Sequence, residues 1–174
     1  IQVSTAMTLD GLLGHEHHMT GENMVSLAPV IEACDYLMVT YYPLKGTNTI
    51  KTSQEIKHDL AALLEIARDK KILFQELGCP TSPLTGSSQE TQADFLNTMF
   101  DFLEANQNRI IAADFMVLFD WPRSLVDHFG EYYGLSDNES FKGFLQTLGL
   151  FDADENPKKG WAVFRQRSLA IASR

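Results

Sequence analysis

Apolar and polar positions along the chain follow two patterns, short apolar runs and longer segments with helical spacing. The apolar runs predict four β-strands, near residues 1–7, 36–42, 72–76 and 111–118. Between and after them, apolar residues recur every three or four positions and predict helices, and two such segments open with a capping-box pattern, Thr52–Glu55 and Ser87–Glu90. The alternation of strand and helix predicts an α/β fold built from parallel βαβ units, with the helices on the outer face of the sheet.

The third apolar run ends in a carboxylate. Ile72 to Phe74 reads as a buried strand that Gly78, Pro80 and Pro83 cut off, so Glu76 falls where the strand gives way to its loop. A charge there is costly unless it is paired, hydrogen-bonded or held by a ligand, and the carboxyl ends of parallel strands are where active sites collect. A carboxylate that turns to solvent or pairs with a lysine is the alternative.

The strands on either side of Glu76 also end in distinctive residues. The second strand ends in Tyr41-Tyr42-Pro43, and the fourth is followed by Asp120-Trp121-Pro122. Taken together, the three strand ends resemble the last strands of a (β/α)8-barrel glycoside hydrolase of the large retaining clan that includes the endo-galactanases. The resemblance covers roughly residues 35–161. In that clan the sixth strand ends in a Tyr-Tyr-Pro-like motif, the seventh carries the nucleophilic Glu, and the eighth ends near a Trp.

The resemblance implies that residues 1–174 form a single domain, the C-terminal half of a TIM barrel, with strands five to eight and outer helices. The family's acid/base Glu belongs to strand four and is therefore expected outside this sequence. An open parallel sheet exposes unpaired edges and an apolar inner face. We therefore expect a partner to cover it, either the N-terminal half-barrel or a second copy of this chain.

The resemblance also assigns roles to individual residues. Glu76 is implied as the catalytic nucleophile in the retaining hydrolysis of a β-linked glycan, with no cofactor. Either Tyr41 or Tyr42 is expected to donate a hydrogen bond to its carboxylate, since strand alternation points only one of them inward. Trp121 is expected to stack on a sugar ring or to plug the terminal loop. Asp120 is expected to bind a sugar hydroxyl or, as we favour, to cap the following turn.

A histidine-rich stretch, residues 15–18 (His-Glu-His-His), supports a different hypothesis. His15 and His17, one residue apart, resemble the metal motif of the amidohydrolase barrels, which would make the protein a metal-dependent hydrolase. Of the further ligands such a site needs, only His58 and His128 remain as histidines. We therefore expect a solvated loop and no metal. A non-catalytic carbohydrate-binding half-barrel is the third hypothesis.

The composition of the chain limits the kinds of molecule that it is expected to bind. With 14 basic and 23 acidic residues the net charge is −9, which argues against binding to nucleic acid or an anionic membrane and agrees with a neutral carbohydrate. No apolar run approaches the ~20 residues of a membrane helix. Cys34 and Cys79 lack metal-site spacing and are expected to be small buried hydrophobes. No signal peptide is recognisable, and a secreted or periplasmic location is compatible with a glycan substrate.

Overall fold

The computed structural model describes residues 1–15, 21–46 and 48–172. It contains a four-stranded sheet in which every neighbouring pair of strands is parallel and the spatial order follows the chain. The strands are β1 (Ala6–Thr8), β2 (Leu37–Tyr41), β3 (Ile72–Leu77) and β4 (Ile110–Phe115). The predicted arrangement of four parallel strands side by side in chain order is therefore confirmed. The first strand is shorter than predicted, because β1 pairs with β2 only opposite residues 38–40.

Seven helices connect and follow the strands in the described residues. They are α1 (Leu9–Leu12), α2 (Gly21–Ala33), α3 (Ser53–Ala67), α4 (Gln89–Ala105), α5 (Arg123–Tyr132), α6 (Glu139–Gln146) and α7 (Lys159–Ala172), and a 3-10 turn spans Pro83–Thr85. The short α1 was not predicted. None of the described helices is long and apolar enough to cross a membrane.

The two predicted capping boxes have different outcomes. At the start of α3, Thr52 accepts from the Glu55 backbone and the Glu55 carboxylate accepts from the Thr52 backbone, as predicted. At the start of α4 the prediction was wrong by one residue, because Ser88 is the N-cap. The Ser87 hydroxyl instead donates to the buried Pro80 carbonyl, 2.6 Å away.

The two faces of the sheet are covered unequally. On β2 and β3 one set of side chains is buried with the helices in the main hydrophobic core: Leu37, Val39, Tyr41, Ile72, Phe74 and Leu77. Helices α3 and α4 complete this core with Leu60, Leu63, Leu96 and Met99. The alternate set, which includes Met38, Thr40 and Leu73, is only partly buried. The helices therefore cover one face of the sheet, and the other face has the more open surface.

The two cysteines provide a test of this packing. Cys34 and Cys79 are both free thiols, 7% and 2% exposed, so the expectation that they are buried is confirmed. Burial raises the pKa of Cys79 to about 12.

Because the thiolate is the reactive form, we predict that a Cys34→Ser variant does not react with Ellman's reagent at pH 8 in its native state and reacts fully in guanidinium chloride. Rapid reaction of the native variant would contradict the packing around Cys79.

Candidate active site

Glu76 lies at the carboxyl edge of the sheet. Its Cα is in register with Thr40 of β2, which in turn pairs with Thr8 of β1. The ladders on both sides of β3 shift register near this point, and two consecutive partly exposed residues, Gln75 and Glu76, stand between the buried Phe74 and Leu77. An irregularity of this kind re-aims a side chain. The break in alternation places the Glu76 carboxylate on the open face, where strict alternation would have buried it.

The Glu76 carboxylate accepts a hydrogen bond from a tyrosine at the end of the neighbouring strand. The Tyr42 hydroxyl donates to Glu76 Oε2 at 2.9 Å and lies 3.1 Å from Met116 Sδ. Burial raises the pKa of Tyr42 well above its ordinary value, and the hydrogen bond to Glu76 and the negative charges of Glu76 and Asp114 raise it further. The phenol therefore stays protonated and remains a donor at every physiological pH.

The close approach of Tyr42 depends on a glycine. A Cβ at Gly78 would lie 2.8 Å from the Tyr42 ring and 2.7 Å from the Met116 carbonyl oxygen. Both distances are too short for any side chain, so only glycine lets the ring cross the end of β3. On its other side the ring packs edge-on against Phe144, with centroids 5.0 Å apart.

The Tyr41 side chain points to the face of the sheet opposite to that of Tyr42. The structure therefore does not place Tyr41 beside Glu76, which was one of the two expected arrangements. Its side chain is 1% exposed, and its hydroxyl donates to Asp59 Oδ2 on α3 at 3.0 Å. Tyr41 shares its parity with Leu37 and Val39, whose side chains are buried on the helical side of the sheet. Of the two tyrosines, Tyr42 alone hydrogen-bonds Glu76.

Tyr41 belongs to a buried charge network that sequence reasoning missed. Lys51 is 7% exposed and donates to Asp59 Oδ2 at 2.7 Å and to Asp10. Burial by itself lowers the pKa of Lys51, but the hydrogen bonds to Asp10 and Asp59 raise it above its ordinary value. A usable signal existed in the sequence, because Asp59 interrupts the apolar stripe of α3 three residues after Ile56.

The Asp10 carboxylate reaches from this network toward the carboxyl edge. It is about a quarter exposed and lines a cavity of about 200 Å³ together with Thr40, Tyr42 and Asn48. The same cavity shares Asp10 and His15 with a larger one of about 680 Å³. Polar groups thus gather beside Tyr42, whose hydroxyl bonds the Glu76 carboxylate.

Asp120 is engaged inside the protein, which favours its structural role over the binding of a sugar hydroxyl. Its Oδ1 accepts from Lys158 Nζ at 2.6 Å and from the Gly149 backbone at 2.8 Å. The Lys158 ammonium also donates to Thr81 Oγ1 and to the Thr147 carbonyl, each at 3.1 Å. Burial raises the pKa of Asp120 although the bond to Lys158 opposes the shift. One buried cation therefore joins the loops that follow β3, β4 and α6.

Trp121 is partly buried just beyond β4. Its indole stacks on Phe129 with centroids 5.3 Å apart and planes 18° apart, so one ring face is covered by the protein. Phe129 in turn stacks on Tyr133. Trp121, Phe129 and Tyr133 therefore form a row of stacked rings that starts before α5 and ends just after it. The expected contact of Trp121 with a sugar stays a prediction.

The histidine stretch is only partly described. His17 and the residues on either side of it, Glu16 and His18, lie outside the described residues. His15 is half exposed, with Nδ1 3.6 Å from Asp10 Oδ1. Within residues 1–15, 21–46 and 48–172, no group of three His, Cys, Asp or Glu side chains is placed to hold a metal ion.

Comparison with known proteins finds solved structures with a similar backbone but no matching sequence or family. No protein-family model and no curated protein sequence matches the chain. Its structure is similar to xylanase 10B from Thermotoga maritima (TM-score 0.57, 18% identity, covering 98% of this chain and 48% of the xylanase). It is also similar to a glycoside hydrolase family 17 β-1,3-glucanosyltransferase from Rhizomucor miehei (0.52, 18%, 92% and 49%). A third similar structure is a GH128 endo-β-1,3-glucanase from Lentinula edodes (0.54, 13%, 91% and 53%).

These similarities show the fold. The proteins are TIM-barrel glycoside hydrolases. The predicted α/β, glycoside-hydrolase-like fold is therefore confirmed, whereas no specific family is shown. The chain spans about half the length of these proteins, which matches a four-stranded part of an eight-stranded barrel. Which four strands of a barrel these are stays a prediction.

The Lys158 network gives a stability prediction with a matched control. In Lys158→Met the Asp120 carboxylate loses its cation while staying mostly buried, and we expect the free energy of unfolding to fall by about 3–5 kcal/mol in urea titrations. The neighbouring Lys159 is 60% exposed, so Lys159→Met should change it by no more than about 0.5 kcal/mol.

The loss of unfolding free energy in Lys158→Met should also depend on pH. Removing the ammonium raises the folded-state pKa of Asp120 further above its unfolded value, so the folded variant binds a proton more readily than the unfolded chain. Relative to the parent, the variant should therefore regain stability as the pH falls through that raised pKa. Equal, pH-independent effects of the two lysine substitutions would contradict the network.

Proposed function

We propose that this chain supplies the nucleophile half of a retaining β-glycoside hydrolase, with Glu76 as the nucleophile. The observation that carries the proposal is the hydrogen bond from Tyr42 to Glu76 at the carboxyl edge of a glycoside-hydrolase-like sheet. A protonated phenol fixes the carboxylate rotamer and leaves the second oxygen, Oε1, for attack. The bond joins a side chain of β3 to that of the residue directly after β2, so two adjacent strands hold the geometry.

In this mechanism Glu76 attacks the anomeric carbon of the glycan. The bond from that carbon to the leaving oxygen breaks, and a second carboxyl group gives that oxygen a proton. Water then cleaves the glycosyl ester on Glu76 and restores the carboxylate, with the same carboxyl group accepting the proton of the water. Retaining enzymes hold the two carboxyl groups about 5–5.5 Å apart. We assign the acid/base Glu to strand four of the barrel, outside this sequence.

The proposed substrate is a neutral β-linked polysaccharide. The similar structures include xylanases and an endo-β-1,3-glucanase and also β-glucuronidases, one of them bound to the acidic sugar D-glucuronic acid. The net charge of −9 favours a neutral ligand over an anionic one. Thr40 pairs with Glu76 across the sheet and Tyr42 bonds its carboxylate. Both line a cavity with Asp10, so polar and aromatic groups of the kind that bind a sugar lie around Tyr42.

The nucleophile assignment is tested by covalent trapping in the full-length enzyme. A 2-deoxy-2-fluoro glycoside should label the peptide that contains Glu76, as seen by mass spectrometry, and Glu76→Gln should abolish labelling and lower the hydrolysis rate by about 10³-fold or more, because the amide cannot form the ester. Tyr42→Phe should lower it by about 10- to 100-fold, the value of a hydrogen bond to a charged group.

Tyr41→Phe is the matched control, because the Tyr41 hydroxyl bonds Asp59 and not Glu76. It should lower stability and leave the labelling rate unchanged. Labelling at another residue, or full activity of Glu76→Gln, would remove the assignment. Glycan binding without any labelling would favour the non-catalytic carbohydrate-binding alternative.

We further propose that an N-terminal half-barrel covers the open face and the free edge of β4. Ile111 on β4 is 47% exposed and Leu118 just beyond it is 50% exposed, and the exposure of apolar side chains to water is costly.

We predict that the isolated chain self-associates at micromolar concentration in light scattering and that Ile111→Lys weakens this association. Leu84→Lys, at a 58% exposed position, is the control. A monodisperse monomer of the parent chain would contradict the proposal.

A further inference from the structure

The Tyr42 hydroxyl has one proton and two neighbouring acceptors. Glu76 Oε2 lies 2.9 Å from the phenol oxygen, and Met116 Sδ lies 3.1 Å from it. A thioether sulfur is a weak acceptor, whereas a carboxylate is a strong one because it is charged. The proton therefore goes to Glu76. The bond that orients this carboxylate thus depends on the weakness of the sulfur beside it.

Fixed neighbours hold the Met116 sulfur close to the phenol. The Met116 amide donates to the Leu77 carbonyl at 2.7 Å, and a Cβ at Gly78 would lie 2.7 Å from the Met116 carbonyl oxygen. The backbone of Met116 is therefore held against the end of β3. The Tyr42 ring is confined between Gly78 and Phe144. Any atom added to the sulfur is thus added at its contact with the phenol.

The sulfur is also accessible to a small reagent. Met116 is only partly buried, as are Tyr42 and Glu76, and its sulfur contacts the phenol that bonds the candidate nucleophile. A cleft that admits a sugar to Glu76 also admits a molecule as small as hydrogen peroxide. Peroxides convert accessible methionine thioethers to sulfoxides, and this change turns an apolar side chain into a polar one.

We propose that Met116 is a redox-modification site, at which a peroxide converts the thioether to a sulfoxide and so weakens the Tyr42–Glu76 bond. The sulfur lone pair attacks one oxygen of hydrogen peroxide, the O–O bond breaks and an S–O bond forms. The transferred oxygen gives up its proton to the departing hydroxide, which leaves as water. The sulfur is oxidised by two electrons and the peroxide is reduced by two.

The sulfoxide changes the competition for the phenol proton. Its oxygen is a strong acceptor, and it is carried by an atom only 3.1 Å from the Tyr42 hydroxyl. It also brings negative partial charge toward the Glu76 carboxylate. The proton is then drawn to the sulfoxide, and Glu76 loses the donor that fixes its rotamer. The inference rests on the proposed function only for its effect on hydrolysis, because the Tyr42–Glu76 bond is a feature of the structure itself.

The test treats the full-length enzyme with hydrogen peroxide and locates the oxidised methionines by mass spectrometry. Met116 should be oxidised well before Met99, whose side chain is 0% exposed. The rate of labelling by the 2-deoxy-2-fluoro glycoside should then fall about 10- to 100-fold, as in Tyr42→Phe, because each change removes one hydrogen bond to a charged group. Methionine sulfoxide reductases, one for each sulfoxide epimer, should restore the rate.

Three variants separate this effect from general oxidative damage. Met116→Leu has no sulfur to oxidise, so peroxide should not slow it further, whatever its starting rate. Tyr42→Phe has already lost the phenol proton, so oxidation of Met116 in that variant should cause little additional loss. Met38→Leu is the matched control, because Met38 is a partly buried methionine on the open face of the sheet. It should be as sensitive to peroxide as the parent.

A second measurement does not need catalysis. In carbon NMR spectra of the full-length protein, the side-chain carboxyl signal of Glu76, assigned by its absence in Glu76→Gln, should shift on oxidation in the same direction as in Tyr42→Phe. Failed trapping together with this shift would remove the proposed catalysis and keep the redox site. The redox site is overturned by an unchanged Glu76 signal after full oxidation of Met116, by equal peroxide sensitivity of Met116→Leu and the parent, or by oxidation of Met99 before Met116.

Discussion

The site depends on a break in the alternation of one strand. From Ile72 to Phe74, β3 alternates between buried and partly exposed side chains, and a regular continuation would turn residue 76 toward the helices. The register shifts on both sides of the strand make Gln75 and Glu76 consecutive partly exposed residues and return Leu77 to the core. The carboxylate thus avoids the cost of burial among apolar side chains, and it reaches the one phenol that can hold it. The absence of a side chain at Gly78 completes the arrangement by leaving room for the Tyr42 ring.

Buried charges determine how the loops around this edge are fixed. Lys51 joins α1 to α3 through Asp10 and Asp59. Lys158 joins the loops after β3, β4 and α6 through Asp120 and its neighbours. Each ammonium is less than a tenth exposed. Lys51 donates to two carboxylates and Lys158 to one carboxylate and two neutral oxygens, so the cost of desolvating each ammonium is offset by bonds that hold these segments in one arrangement. The two lysines therefore fix segments near β1 and near β4, the two edge strands of the sheet, and the strands between them position the Tyr42–Glu76 pair.

The sequence predicted the backbone well and the side-chain environments less well. Strong periodicity placed four strands and the long helices α3 and α4, because apolar spacing reports which residues must be buried together. It could not choose between Tyr41 and Tyr42, because the two parities of β2 look alike in apolar content and only packing against α3 reveals which one meets the helices. The shift from Ser87 to Ser88 as N-cap has the same origin, since the Ser87 hydroxyl satisfies a carbonyl that only the tertiary structure brings near.

Asp120 shows most clearly where local patterns stop being informative. Beside Trp121, at the end of a strand, it has the sequence context of a sugar ligand, yet its partner Lys158 comes 38 residues later, at the start of the final helix. No spacing rule connects the two positions, and they meet because residues 150–151 pair with the backbone of both Asp120 and Lys158. A carboxylate at a strand end is therefore informative about function only when its partner is known. Glu76 meets a phenol at the open edge, whereas Asp120 meets a buried ammonium, and this difference in partner separates the candidate catalytic group from the structural one.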